Sequence, residues 1–185
     1  SGVLSVSRSE SWVNVLPKSR AVRLGWVQMC KVYTEAPIGF SGICFNMRRP
    51  PLDDRRVRLA LCHLLPRERL IETRFHGEYA LQNSYWPGRD WGNGAENPLV
   101  SFDPERARSL LAEAGFADTN EDGYLVNAAG EELAFALEHT GPWEDIMAVV
   151  RAGFAEGGVR LRTVPVDPET LMRRVSARDF DLHWQ

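Results

Sequence analysis

The chain has 185 residues, 44% apolar and 25% charged, with a formal net charge of -3. That length can bury a core and is most simply one domain, and the mild acidity excludes the basic footprint of a nucleic-acid binder. No apolar run approaches the roughly 20 residues needed to cross a bilayer. Ser1-Gly2-Val3-Leu4-Ser5 lacks the basic region and apolar run of a signal peptide, which says nothing about a leader upstream.

In chain order, residues 9–24 have helical character broken at Pro17 and ended at Gly25. Trp26 to Tyr33 alternates loosely and predicts a strand, Ala36-Pro37-Ile38-Gly39 a turn, and Phe40 to Asn46 a second strand. Two prolines, Pro50 and Pro51, then forbid continuation of ladder or helix. Asp53 or Asp54 can cap the helix that follows, in which Val57, Leu61, Leu64 and Leu65 share one face and Arg55, Arg56 and Arg58 face solvent. Pro66 opens a further helix with Leu70, Ile71 and Phe75 apolar and Gly77 as its stop. Periodicity vanishes from Leu81 to Ser101, where Tyr85 to Gly94 reads as a long Gly-rich loop carrying aromatics.

Helical order resumes with Asp103 as N-cap and Pro104 first, with Ala107, Leu110, Leu111 and Ala114 at helical spacing and Gly115 closing. Asp118 to Gly123 matches half of a calcium loop, but Ala129 stands where a bidentate Glu is required. It therefore reads as an Asx-rich turn. Tyr124 to Val126 and Leu133 to Leu137 predict a hairpin. Next come a helix burying Ile146, Val150 and Phe154, a strand from Val159, and a helix opened by Asp167-Pro168 with Leu171, Met172 and Val175 inward. A last strand contains Phe180, Leu182 and Trp184. A chain stopping inside a strand is what a fragment would show. Interleaved strands and helices predict an α/β (α+β layered) domain.

The search for chemistry is thin. There is no G-x-S-x-G elbow and no Walker loop. His63, His76, His139 and His183 lack an i,i+4 partner for a metal, so no cofactor and no metal are expected. Cys30, Cys44 and Cys62 make no zinc spacing; they read as buried free thiols, although Cys30 and Cys44 on neighbouring predicted strands could also pair. The Arg48-Arg49 pair reads as structural rather than as a carboxylate receptor. Two places have the composition of a recognition surface: the loop from Tyr85 to Trp91, and His139, Thr140 and Trp143 between a strand and a helix.

The corner carries a resemblance. Phe45-Asn46, Pro51-Leu52-Asp53-Asp54 and Val57-Arg58-Leu59-Ala60-Leu61 together resemble the signature of the family 5 extracellular solute-binding proteins, the peptide- and nickel-binding receptors of ABC importers. Later pieces agree in order: Asp103-Pro104 through Ala114-Gly115, the acidic turn, Gly158-Val159-Arg160-Leu161 and Phe180-Asp181-Leu182. Leu65-Pro66-Arg67 departs from the family's Asp-Arg pair, so that helix start is capped otherwise. The match covers about residues 40–185. Residues 9–39 resemble the lead-in of the branch importing oligopeptides and microcin-type peptides.

The resemblance implies one lobe, the C-terminal one, of a two-lobed periplasmic-binding-protein-like type II fold, with a mixed sheet flanked by helices. Residues 1–39 would be a lead-in to a family core at 40–185. It implies a non-enzymatic receptor, periplasmic or extracellular, whose partners are a peptide or other small solute, the other lobe and the membrane permease. An isolated lobe would fold but bind weakly. Loops facing the cleft would carry His139, Thr140, Trp143, His183 and Trp184 first, then Tyr85, Trp86, Arg89 and Trp91. The alternatives are the ligand-sensing domain of a transcription regulator, or a receptor for nickel, a sugar or an opine.

Overall fold

The computed structural model describes residues 10–31, 41–84, 97 and 100–185. Its centre is a four-stranded mixed sheet in the order β1-β6-β4-β5, built from Ile43–Phe45 (β1), Ala134–His139 (β4), Arg160–Pro165 (β5) and Leu182–Trp184 (β6). β4 runs parallel to both β5 and β6, while β1 pairs antiparallel with β6. A two-stranded ribbon, Asp118–Thr119 (β2) with Leu125–Val126 (β3), lies outside it.

Two connections define the layers. β4 passes to β5 through Glu144–Glu156 (α5), whose Ile146, Val150 and Phe154 are buried in one core with Phe135, Leu137, Leu161 and Leu182. β5 returns across β4 to β6 through Pro168–Ala177 (α6), on the other face, where Arg174 reaches Glu138, the neighbour of Leu137 in the alternating strand. Arg55–His63 (α2), Arg67–Thr73 (α3) and Pro104–Glu113 (α4) complete the α5 layer.

The corner folds as its residues dictate. Pro50-Pro51 is a cis peptide, and the Asp54 carboxylate accepts from the Arg56 amide at 2.7 Å to start α2. Arg56 and Arg58 are not free solvent-facing charges. Arg58 donates to the carbonyls of Leu52 and Asp53 at 2.8 Å, and Arg56 holds both the Asp54 carboxylate and the Glu113 carbonyl at the end of α4. Arg49 forks onto Asp179 and Asp181, at 2.8 and 2.7 Å, tying the corner to the turn before β6. The buried Asn46 donates to the carbonyls of Arg178 and Phe180.

Several sequence expectations need correction. Residues 26–31 form no strand, because the Trp26 and Val27 amides donate to the Ala21 carbonyl and close the short helix Arg20–Arg23 (α1). Of the second expected strand, Phe40 lies outside the described residues, as does the turn at 36–39, and the described part narrows to β1. The three cysteines are free, and Cys30 is exposed rather than buried, so the conceivable pair is not formed. β3 pairs with β2 and touches Glu132 through a single bridge; β4 leaves that hairpin because Leu133, Phe135 and Leu137 are drawn into the main core. On α6, Leu171 and Val175 are half-buried but Met172 is turned outward and 67% exposed. The acidic turn is closed by Asn120, whose Oδ1 accepts from the Tyr124 amide, and Asp122 pairs with Arg160.

Candidate functional site

The two crossovers leave β4 and β6 side by side while their helices diverge to opposite faces. In open α/β sheets the crevice outside the carboxyl ends of the strands is where ligands lodge. The register places Leu137 beside Leu182 and Glu138 beside His183. One step further along each strand come His139 and Trp184. Five of the nine residues singled out from the sequence therefore gather at one edge of the sheet. Tyr85, Trp86, Arg89 and Trp91 lie outside the described residues.

Each of the five has its own environment. His139 ends β4 and is only 2% exposed; its Nδ1 is 3.0 Å from the Gly141 carbonyl oxygen. Thr140 is exposed. Trp143 stands at the N-cap of α5, 40% exposed, with its carbonyl accepting from the Met147 amide. Its indole lies over Gly141, where any side chain would collide with the ring. His183 is half-buried, with its ring edge-on to Phe180 at 5.0 Å. Trp184 packs partly buried against the core. So Trp143 and Thr140 are presented to solvent, while His139 is buried and Trp184 partly so.

Sequence reasoning passed over Glu138. It is 1% exposed, next to His139, with Oε1 held by Arg174 at 2.7 Å. Burial raises its pKa above the ordinary carboxylate value, against the pull of Arg174. Burial also lowers the pKa of His183, its partner across the strands. A charged residue directly after the apolar run Phe135-Ala136-Leu137 was the available signal. Asp181 is a second such group: its Oδ2 accepts from the Ala136 amide at 3.0 Å and its Oδ1 from Arg49.

The cysteines bring no nucleophile to this edge. Cys44, in register with His183, donates its thiol to the Gln185 side chain at 3.1 Å, and burial pushes its pKa up, which keeps it protonated. A separate groove of about 420 Å³ lies beside Gly158, before the start of β5 and so at the other end of that strand. Its lining sets Arg108, Ser109 and Thr119 beside Ala112, Phe116 and Leu125, at the end of the sheet away from the site residues.

Comparison with known proteins gives this edge a context. The sequence profile of "Bacterial extracellular solute-binding proteins, family 5 Middle" matches residues 13–185. The chain belongs to that family. Among its relatives is the oligopeptide-binding protein AppA of Bacillus subtilis, 26% identical over 156 residues that make up 82% of this chain and 28% of AppA. The heme-binding protein A of Haemophilus influenzae is 28% identical over 141 residues, 76% of this chain and 24% of that protein. The chain thus spans less than a third of the length of these relatives.

The solved structure of AppA with a nonapeptide superposes with a TM-score of 0.70 at 27% identity, covering 79% of this chain and 30% of AppA. NikA of Brucella suis, solved with Fe(III)-EDTA, has the same fold, with a TM-score of 0.70 at 21% identity over 81% of this chain and 30% of NikA. The α/β fold expected from the sequence, a mixed sheet flanked by helices, is therefore the fold of family 5 binding proteins.

Proposed function

We propose that this chain is one lobe, the C-terminal one, of a peptide receptor of an ABC importer, with residues 1–39 leading into a family core at 40–185. It works outside the cytoplasm, periplasmic or extracellular, and passes its solute to the membrane permease. The observation that carries this reading is the pairing of β4 with β6, which puts Thr140, Trp143, His183 and Trp184 at the carboxyl ends of two adjacent strands. Aromatic faces beside a few polar groups suit extended peptides, because they tolerate varied side chains while the peptide backbone finds hydrogen-bond partners. An opposing lobe closing on this edge would exclude water and complete the wall. No bond is made or broken, and the residues at the edge need only hold, orient and release. AppA, named for oligopeptide binding, supports the peptide assignment.

The test is a titration of a receptor that joins this chain to its opposing lobe, using peptides of graded length and following tryptophan fluorescence. Saturable quenching or enhancement with peptides is expected, weakened by Trp143→Ala. Binding of nickel chelates, heme, sugars or opines with no response to any peptide would overturn the assignment. On the isolated lobe the same titration should give much weaker binding, since half of the wall is missing.

A further inference from the structure

β6 is three residues long, and of these Leu182 and His183 stand in register with β4. So short a ladder specifies its register weakly, and the sequence adds an ambiguity of its own. Asp179-Phe180-Asp181-Leu182 alternates acidic and apolar residues with the period of a strand. A slip by one residue is excluded, because the fully buried Leu182 would turn to the opposite face. The apolar pattern is indifferent to a slip by two. Phe180 would then take the place of Leu182 and Asp179 that of Asp181, and His183 and Trp184 would move two residues beyond their present places.

Asp181 is bonded so as to decide between these registers. One step before the paired residues, its Oδ2 accepts from the Ala136 amide at 3.0 Å, so a side chain continues the ladder between β4 and β6. Its carbonyl accepts from the Asn46 amide at 2.9 Å and continues the pairing with β1. Its Oδ1 accepts from Arg49 at 2.7 Å, while the other arm of that guanidinium takes Asp179 at 2.8 Å. Arg49 therefore engages both acids of the repeat, each in its own place. The Asn46 side chain donates to the carbonyls of Arg178 and Phe180, at 3.0 and 2.8 Å. This holds the left-handed turn at Arg178, φ 59°, from which the segment sets out.

We propose that Asp181 is a positioning residue of the candidate site. With Arg49 and Asn46 of the corner it selects the one register of β6 that brings His183 and Trp184 to the edge beside β4. The role in binding rests on the reading of that edge as facing the ligand; the register is a property of this chain alone. The corner thus acts on the site at a distance, through charge-assisted bonds to the segment that enters β6.

The experiment measures amide exchange by NMR in this chain and peptide affinity in the receptor that joins it to its opposing lobe. In Asp181→Ala the Ala136 amide should exchange about tenfold faster, while the amides of α2 and α4 keep their wild-type rates. Asp179→Ala takes the other acid from Arg49 but no ladder bond, and should leave Ala136 within about twofold of wild type. Asp181→Asn, which keeps an acceptor oxygen, should restore most of the protection. Peptide affinity should follow the same order, about tenfold weaker in Asp181→Ala. Should Asp181→Ala fail to fold, Arg49→Gln at its exposed position carries the test, with faster Ala136 exchange expected than in Asp179→Ala. Wild-type exchange in every folded variant, or equal acceleration from the loss of either acid, would overturn the register role. Accelerated exchange with unaltered affinity would overturn the positioning role. If exchange responds as stated and no form of the receptor binds any peptide, the register device stands and the peptide reading fails.

Discussion

The indole of Trp143 lies across Gly141 so closely that no β-carbon fits between them. Gly141 follows the buried His139 by two residues, and its carbonyl oxygen is 3.0 Å from His139 Nδ1. One residue without a side chain therefore positions both the buried imidazole and the exposed ring of the candidate site. Gly141→Ala should displace Trp143 while leaving the core untouched. We expect a shifted tryptophan emission maximum and at least a tenfold weaker peptide affinity, with an unfolding midpoint close to wild type. Unaltered emission and affinity would show that the ring is not held this way.

Gly153 tests packing against propensity. It sits inside α5, where Ala is ordinarily favoured over Gly by about 1 kcal/mol. A β-carbon there would stand 2.6 Å from the Leu64 carbonyl oxygen and 2.8 Å from Pro66 Cδ, a backbone atom and a ring that cannot swing aside. Overpacking a close contact costs about 1–3 kcal/mol, so the clash outweighs the gain. Gly153→Ala should be destabilised in urea denaturation despite the better helix former. A stabilised variant would mean that α2 and α5 can separate freely.

Much of this architecture is legible in the residues. The caps Asp54, Asp103 and Asp167 each accept from the amide that their position demands, and the buried faces of α2, α4 and α5 follow the apolar spacing. What sequence could not resolve is long-range pairing. Trp26 to Lys31 has strand-like alternation, but its first two amides, of Trp26 and Val27, are spent locally on Ala21 and it forms no strand. Leu133 to Leu137 reads as the arm of a hairpin, yet burial against α5 carries it into a parallel sheet. At the site, the loop residues after β4 were identifiable from composition. Glu138 was not, because the Arg174 side chain that holds it is distant in sequence and reaches it only once α6 lies against the sheet.

Asp103 joins two helices as well as capping one. Its Oδ1 accepts from the Arg106 amide at 2.9 Å, and its own amide donates to the His63 carbonyl at the end of α2. Asp103→Ala removes the first bond and keeps the second. A loss of about 1 kcal/mol is expected from the cap alone. Asp103→Asn, which retains a capping oxygen, should recover most of it. Equal losses in both variants would assign the effect to the charge rather than to the hydrogen bond.

The pH dependence of stability follows from two burial effects of opposite sign. Glu138 has a raised pKa, so its contribution is fully present below the unfolded value of about 4.3 and is lost as pH rises through the folded value. His183 has a lowered pKa, so its contribution is present above about 6.5 and is lost as pH falls towards the folded value. Glu138→Gln deletes the first dependence while keeping the shape and an oxygen for Arg174. Relative to this variant, the wild type should lose stability progressively as pH rises above about 4.3, so the difference between them widens on the alkaline side. His183→Asn should do the reverse, gaining on the wild type as pH falls below about 6.5. Denaturation midpoints measured in half-unit steps from pH 4.5 to 8 check both. Parallel curves for wild type and Glu138→Gln would mean that the carboxyl titrates alike in the folded and unfolded chains, and that its burial at the end of β4 carries no electrostatic cost.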